Sequence, residues 1–188
     1  MTSLSWILLT YKVPAEPAKK RIWLWRKIKG MGAVYLQNGV CLLPKTDEHL
    51  RRLKVLEHEI AEMEGEAVLL ETTGLDRAQE EKVVARFNAD RDEAYQEFFE
   101  RCRDFHAEID RESAAEKFTY AELEENDEDL EKLRTWLGKI RALDFYQSPK
   151  GGEASTKLNE CEARLESFAQ QVFAAQDENK SSPTLPSP

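Results

Sequence analysis

The sequence of 188 residues contains no long apolar run of the kind a membrane-spanning helix requires, so we expect no transmembrane segment. The N-terminus also lacks the combination of a positive start, a long apolar core and a small-residue cleavage site that marks a secretory signal. Its apolar run from Trp6 to Leu9 is too short for that purpose. These absences favour a cytoplasmic protein.

Cysteine and histidine are scarce, with three of each. The cysteines are odd in number and far apart in the sequence, at Cys41, Cys102 and Cys161. They predict neither a disulfide framework nor a metal cluster, and a reducing compartment is the simplest setting. The histidines, His49, His58 and His106, are isolated too. His49 and Cys41 could meet in space, but a surface histidine is the favoured account of each of the three.

Motifs that carry catalysis are also lacking. The glycines at 30–32 and 151–152 are not followed by the Lys-Ser/Thr of a phosphate loop. The acidic run 121–133 places Glu124, Asp127 and Glu131 where they can share a helix face, but it lacks the glycine and ligand spacing of a calcium loop. A solvated helix start is favoured, because carboxylates complement the helix dipole there. We expect no enzyme, no cofactor and no metal.

Charge is present in abundance and is unevenly distributed. Residues 1–56 hold 11 basic and three acidic side chains, a net charge of +8. The remainder carries −17, so that the whole sequence has a net charge of −9. A basic end steers a polyanion toward itself while an acidic end repels it. Two sections of opposite sign can equally pair with each other, within one chain or across a dimer.

The segment PAKKRIWLWRKIKGMG, which starts at Pro17, is the most informative part of the sequence. At about 100° per residue it predicts a helix with one basic side around a tryptophan. That side comprises Lys19, Lys20, Trp23, Arg26 and Lys27. Ala18, Ile22, Leu24, Trp25 and Ile28 fill the rest, from which one face can bury against a sheet. Cations around an aromatic ring suit a phosphate backbone and a sugar or base.

The same pattern also fits a solvated basic face whose Trp23 is covered by another part of the protein, because tryptophan usually seeks burial. In the DNA-binding interpretation, Arg51, Arg52 and Lys54 early in the next predicted helix extend the basic patch. No residue is identifiable as a base-reading element, so no sequence preference is predicted.

The N-terminal part predicts the element order strand, helix, strand, strand, helix, strand. A β-favouring run at 5–13 precedes the basic helix, and Asn38-Gly39 between two apolar runs predicts a hairpin with a type I′ turn. A helix at 46–64, capped by Thr46 or Asp47, leads to a last strand at 66–73. This order predicts an α+β fold with a βαββαβ ferredoxin-like sandwich. The sheet face away from the helices needs a cover, from the following residues or a second copy.

The remainder predicts an antiparallel helical bundle. Apolar residues at three-and-four spacing indicate helices at about 76–113, at about 120–146, and from the loop 147–152 to about 175. We therefore predict a ferredoxin-like domain over 1–74, a helical domain over 75–176, and a disordered polar tail over 177–188.

A stretch of about 70 residues that begins at Trp6, with Trp25-Arg26 in the basic helix and Asn38 in the hairpin, resembles the opening of ChrB-type chromate-resistance regulators. In that family a strand leads through proline to a basic helix with a Trp-Arg core, followed by an Asn-containing hairpin. The matching residues are Trp25-Arg26-Lys27-Ile28, Gly32-Ala33, Val34, Leu36, Asn38, Val40, Leu43, Pro44 and Gly65-Glu66-Ala67. The helical part around 91–95 matches more loosely. Family members usually continue into a second domain of similar size, thought to carry the chromate response, which this sequence does not include.

The unit is also similar to the middle domain of phenylacetate-type repressors and to the small ferredoxin-like nucleases of CRISPR loci. Those nucleases place an aspartate after the first strand, where this sequence has Tyr11-Lys12-Val13, so metal-dependent cleavage is not expected.

The ChrB resemblance implies regulation of a chromate-efflux operon by dimeric DNA binding. We therefore expect a homodimeric regulator that binds duplex DNA through its first helix. The alternative is a non-catalytic protein-protein interaction module. A third hypothesis is an enzyme or a sensor for a small oxyanion, with chromate held by Arg and Lys.

Overall fold

The computed structural model describes residues 4–181, with side chains for 4–177. The elements in chain order are β1 (Ser5–Lys12), α1 (Ala18–Lys29), β2 (Val34–Gln37), β3 (Val40–Pro44), α2 (Asp47–Glu62), β4 (Glu66–Thr73), α3 (Arg77–Ala114), α4 (Tyr120–Ala142) and α5 (Gly151–Ser181). The described helix therefore continues into the segment predicted as a tail. The rest of that segment, 182–188, lies outside the described residues.

The four strands form one sheet in the order β2-β3-β1-β4, and all neighbouring strands are antiparallel. Leu8 in the centre of β1 faces Leu42 on one side and Leu70 on the other. With α1 between β1 and β2, and α2 between β3 and β4, this is the βαββαβ ferredoxin-like arrangement. The predicted α+β fold class is confirmed.

The predicted hairpin joins β2 to β3, but its turn is not type I′. Gly39 has a φ of 73°, whereas Asn38 is not among the residues with positive φ. A type I′ turn needs positive φ at both central residues. The register shifts between Tyr35 and Gln37, so a bulge in β2 accommodates the turn instead. Gly39 is required here, because a Cβ would meet the Tyr11 carbonyl oxygen at 2.5 Å.

One face of the sheet packs against α1 and α2. The α2 N-cap forms as predicted, with the Thr46 hydroxyl accepting a hydrogen bond from the His49 N–H at 3.1 Å. Within α2, Leu50 is 37% exposed, whereas His49 is buried, so the surface position expected for this histidine is wrong. This core comprises Ile7, Leu9, Leu24, Ile28, Met31, Ala33, Cys41, Leu43, Leu53, Leu56 and Ile60.

The other face of the sheet is covered in part by the following chain. Trp6, Val34 and Leu42 form a second apolar cluster with Phe87 of α3. The cluster is completed by the partly buried residues Leu8, Val83, Val84, Phe145 and Tyr146. The helix predicted to run to Tyr146 therefore ends at Ala142, because Phe145 and Tyr146 leave the helix and pack on the sheet. The burial of their aromatic rings outweighs the continued helical pattern of the sequence.

The described chain divides into two compact units. The first comprises residues up to Arg91 together with Leu143–Ser148, and the second comprises Asp92–Ala142 and the residues from Pro149 onward. This division falls within α3, rather than at the domain boundary between 74 and 75 that the sequence predicts.

The second unit is a three-helix bundle. Asn126 of α4 donates a hydrogen bond to Glu112 of α3, and Arg141 of α4 donates one to Ser155 of α5. Phe98 of α3 packs edge-on against Trp136 of α4, and Arg134 of α4 donates a hydrogen bond to Glu162 of α5. With two contacts for each pair, the residue order shows that consecutive helices are antiparallel. The shared core is built from Tyr95, Phe98, Phe99, Cys102, Phe105, Ile109, Leu130, Leu133, Leu137, Ile140, Ala154, Cys161, Leu165, Phe168 and Val172.

Candidate nucleic-acid interface

Helix α1 lies on the sheet through a narrow contact. Pro17 is its N-cap residue and Gly30 its C-cap residue, and only Leu24 and Ile28 of its 12 residues are buried. These two positions lie four residues apart on one stripe of the helix. The remaining side chains, including every cation predicted to bind DNA on this helix, lie outside that stripe.

Lys19, Lys20 and Arg26 are exposed to solvent. Among the described residues, none of the three forms an ion pair, and their positive charges are therefore available to an external anion. Lys19 and Arg26 are seven residues apart, which places them on the same side of the helix about 10 Å from each other along its axis.

Lys27 is held against α2. Its ammonium donates hydrogen bonds to both carboxylate oxygens of Glu59, each at 2.5 Å, and lies 4.6 Å from the centroid of the Trp23 ring. Lys27 is thus partly neutralised, and its cation–π contact fixes the indole in place. Trp23 is nevertheless 40% exposed, so the indole is not sealed beneath other parts of the chain.

The other large apolar side chains of α1 are also exposed. Ile22 is 49% exposed and Trp25 is 51% exposed, more than Trp23. Helical spacing places both among the apolar residues opposite the basic side of the helix, but only Leu24 and Ile28 of α1 are buried. The contact is narrower than a helical wheel suggests, so Trp25 becomes a second accessible indole.

The three cations predicted on α2 are exposed but are differently paired. Arg52 lies 3.6 Å from Glu48, and Lys54 lies 2.9 Å from Glu57, both within the helix. Arg51 has no ion pair within the described part of the chain. Exposed pairs of this kind are weak and exchange readily for an external anion. In the described part of the chain, none of the ion pairs formed by these three side chains involves a residue of α1.

A cleft that sequence reasoning missed lies between the first half of α1, the end of β1 and the β2–β3 turn. Its volume is about 600 Å³, and its lining includes Lys12, Arg21 and Trp25. Asn38 and Gly39 of the turn also line it. No local signal predicts this cleft, because its parts come from three elements that meet only in the folded sheet.

Tyr11, which lines this cleft, is paired with a second tyrosine. The hydroxyls of Tyr11 and Tyr35 are hydrogen-bonded at 2.9 Å. Burial raises the pKa of both phenols; the hydrogen bond to Tyr11 raises the pKa of Tyr35 further. The positive charge of Arg21 opposes the increase in the Tyr11 pKa. Both hydroxyls are therefore protonated and neutral at physiological pH.

In the bundle, two residues that are isolated in the sequence come together. The thiol of Cys161 lies 3.6 Å from His106 Nε2 and 3.9 Å from the Cys102 carbonyl oxygen. The hydrogen bond between the two cysteine side chains lowers the pKa of the Cys102 thiol and raises the pKa of the Cys161 thiol. Both thiols are buried. Within residues 4–181, no three His, Cys, Asp or Glu side chains are arranged to hold a metal ion.

Comparison with known proteins identifies the family. The family sequence model described as Protein ChrB, N-terminal, matches residues 21–179. This chain belongs to that family. A curated relative, Protein ChrB of Cupriavidus metallidurans, is 25% identical over 162 residues, which is 86% of this chain and 47% of the relative. The chain thus spans about half the length of that protein. No solved structure matches.

The family match tests the resemblance found in the sequence. The resemblance to the N-terminal region of ChrB-type proteins is confirmed, and the match extends from α1 through most of α5. Among residues 4–181, no helix combines the length and the apolar character needed to span a membrane.

Proposed function

We propose that this chain is a non-enzymatic, DNA-binding regulatory protein linked to chromate resistance, and that α1 contacts the phosphate backbone. The link to chromate resistance comes from membership of the ChrB family and the role that the resemblance implies. The role of α1 is supported by one observation above all: Lys19, Lys20 and Arg26 are exposed and free of ion pairs within the described chain.

The charge distribution favours a polyanionic partner at this helix. Residues 1–56 carry +8 and the remainder carries −17, so a duplex is attracted to one section and repelled by the other. Each phosphate neutralised by a lysine or arginine releases counterions, which supplies affinity without sequence selectivity. The exposed Trp23 adds an aromatic plane beside these cations, suited to a sugar or a base.

The test measures the affinity for a fluorescent duplex at several salt concentrations. The K19E/K20E/R26E variant is expected to lose binding and to reduce the logarithmic salt slope by ~0.9 for each lost phosphate contact. The matched control, K82E/R101E/K139E, makes the same change in net charge at exposed positions outside α1. Equal losses in the two variants, or unchanged binding in the first, contradict the proposal.

The homodimer belongs to the same proposal, and sedimentation of the protein with and without duplex measures it. Two protein chains per duplex are expected; one chain per duplex removes the dimer. The link to chromate resistance is tested separately, by comparing the growth on chromate of cells with and without this gene.

A second candidate function, protein-protein interaction without DNA binding, is favoured by the exposed apolar side chains of β4. Val68 and Leu70 are 51% and 52% exposed, and β4 is an edge strand that, within residues 4–181, pairs with β1 alone. Exposed edge strands with apolar residues tend to pair with another chain. This candidate predicts that the unmodified protein self-associates without binding duplex, and that V68D/L70D abolishes the association.

A further inference from the structure

We propose that the cleft between α1, the end of β1 and the β2–β3 turn binds a small anion that carries a flat aromatic ring. This site is distinct from the proposed phosphate-backbone contacts of α1 and does not depend on them. The cleft volume of about 600 Å³ lies within the range of small-molecule sites. Its lining combines cations, an indole and polar turn residues, and each has a place in recognising such a ligand.

Lys12 and Arg21 provide the anion-binding end. Both line the cleft, both are exposed, and neither forms an ion pair within residues 4–177. A guanidinium beside an ammonium suits a phosphate or a carboxylate, since arginine binds planar oxyanions with two parallel hydrogen bonds. Two acidic groups, Glu64 and Glu66, line an adjoining depression that shares Lys12 and Arg21. These carboxylates weaken the attraction for an anion without occupying the cleft.

Trp25 and Ile22 provide the apolar end. Both line the cleft, and both remain about half exposed although large apolar side chains are normally buried. The indole offers a stacking plane to an aromatic ring, and its distance along the helix from Arg21 is one turn. An anion and a ring joined in one molecule can therefore contact both residues at once.

A backbone hydrogen bond joins two of the elements that line the cleft. The Tyr11 N–H donates a hydrogen bond to the Gly39 carbonyl oxygen at 2.8 Å, which ties the β2–β3 turn to the end of β1. The hydroxyl pair of Tyr11 and Tyr35 lies beside it. A preformed site of this kind avoids much of the ordering cost that weakens binding to flexible loops.

The chain supplies matched controls for both ends of the site. Arg26 and Trp23 are exposed on the same helix as Arg21 and Trp25, but they do not line the cleft. The residues proposed to contact DNA on α1 are likewise absent from its lining. Failure of the cleft and failure of the DNA proposal are therefore separable in experiment.

The test is isothermal titration of the full chain with adenosine monophosphate, adenosine, inorganic phosphate and benzoate. Adenosine monophosphate or benzoate is expected to bind, and the phosphate arm distinguishes a phosphate-bearing ligand from a carboxylate. Adenosine and inorganic phosphate, which each have only one of the two features, are expected to bind at least about tenfold more weakly than the complete ligand. No heat with either complete ligand up to millimolar concentration overturns the proposal.

Variants then assign the binding to the cleft. R21A and W25A are each expected to weaken binding about tenfold, as loss of a charge contact or a stacking plane does. R26A and W23A are expected to stay within about twofold, as exposed residues outside the site do. E66Q is expected to strengthen binding. All these side chains are solvent-exposed, and circular dichroism checks that each variant folds. Equal effects of the cleft variants and their controls overturn the proposal.

Discussion

The indole N–H of Trp6 donates a hydrogen bond to the hydroxyl oxygen of Tyr146 at 2.8 Å, across 140 residues of sequence. Trp6 is 1% exposed, and its ring lies in the cluster on the outer face of the sheet. Burial raises the pKa of Tyr146, and the hydrogen bond from Trp6 opposes that increase. This bond fixes the segment after α4 onto the first strand and explains why 143–148 belongs to the first unit.

Replacing Tyr146 with phenylalanine leaves the buried indole N–H without its partner. We expect Y146F to lower the free energy of unfolding by about 1–3 kcal/mol, the cost of an unsatisfied buried donor. Urea unfolding measures this cost. The control is Y120F, because Tyr120 is 48% exposed and loss of its hydroxyl leaves no buried donor without a partner. An effect of Y146F no larger than that of Y120F contradicts the assigned role of the hydrogen bond.

Replacing glycine with alanine is expected to have opposite effects on stability at two positions. Gly39 has a φ of 73°, and a Cβ there meets the Tyr11 carbonyl oxygen, so G39A is expected to destabilise by more than about 1 kcal/mol. Gly138 lies inside α4, and apart from its chain neighbours and the adjacent backbone of the helix no atom lies within 4 Å of a Cβ built there. G138A is expected to stabilise by about 0.5–1 kcal/mol, since alanine restricts the unfolded chain and favours helix. Thermal unfolding measures both changes in stability. The two predictions are contradicted if both variants are stabilised or both are destabilised.

Breaking the contact between Lys27 and Glu59 is expected to increase the affinity for DNA. Because Glu59 holds the Lys27 ammonium, E59Q is expected to free it and to steepen the logarithmic salt slope by up to ~0.9. The control is E62Q, which removes the same charge from α2 but contacts only His58 among the described residues. An unchanged slope in E59Q means that Lys27 contributes no phosphate contact.

Buried Glu112 predicts a pH dependence of stability. Burial raises the pKa of its carboxyl; the hydrogen bond from Asn126 opposes the shift and Glu122 reinforces it. A raised folded pKa means that the stabilising contribution is complete below the unfolded value of about 4.3 and is lost as the pH rises through the folded value.

We therefore expect E112Q to be more stable than the unmodified protein at pH 7, and this difference to disappear near pH 4. The glutamine oxygen still accepts from Asn126, and its N–H₂ can donate to Glu122. Thermal melts at several pH values measure the effect, and E125Q, at an exposed position, is the control for removing one charge. A difference that grows toward acid pH contradicts the direction of the shift.

Much of the fold follows from local sequence. Asn38-Gly39, the cap at Thr46 and the apolar run at 66–73 place the strands and the second helix within a residue or two of their observed bounds. The order of these elements then predicts the ferredoxin-like sheet. The turn type was wrong because a bulge at β2 depends on how β2 pairs with β3, which two turn residues do not encode.

The candidate site was predicted less completely. Helical spacing identifies Lys19, Lys20, Trp23 and Arg26 on the outward side of α1, and the structure leaves all four exposed. The same spacing does not reveal that Trp25 is exposed as well. The width of a buried stripe depends on the curvature and side chains of the surface beneath the helix, and these belong to the sheet.

The element order, the basic character of α1 and the family can be derived from sequence alone, because periodicity, turn residues and charge are local properties of the chain. The folded structure was needed to show that Glu59 neutralises Lys27, that Tyr146 bonds to Trp6, and that a cleft opens beside Trp25 and Arg21. Each of these contacts joins residues from separate elements. Their existence depends on how the helices and strands pack, and no single segment of sequence contains that information.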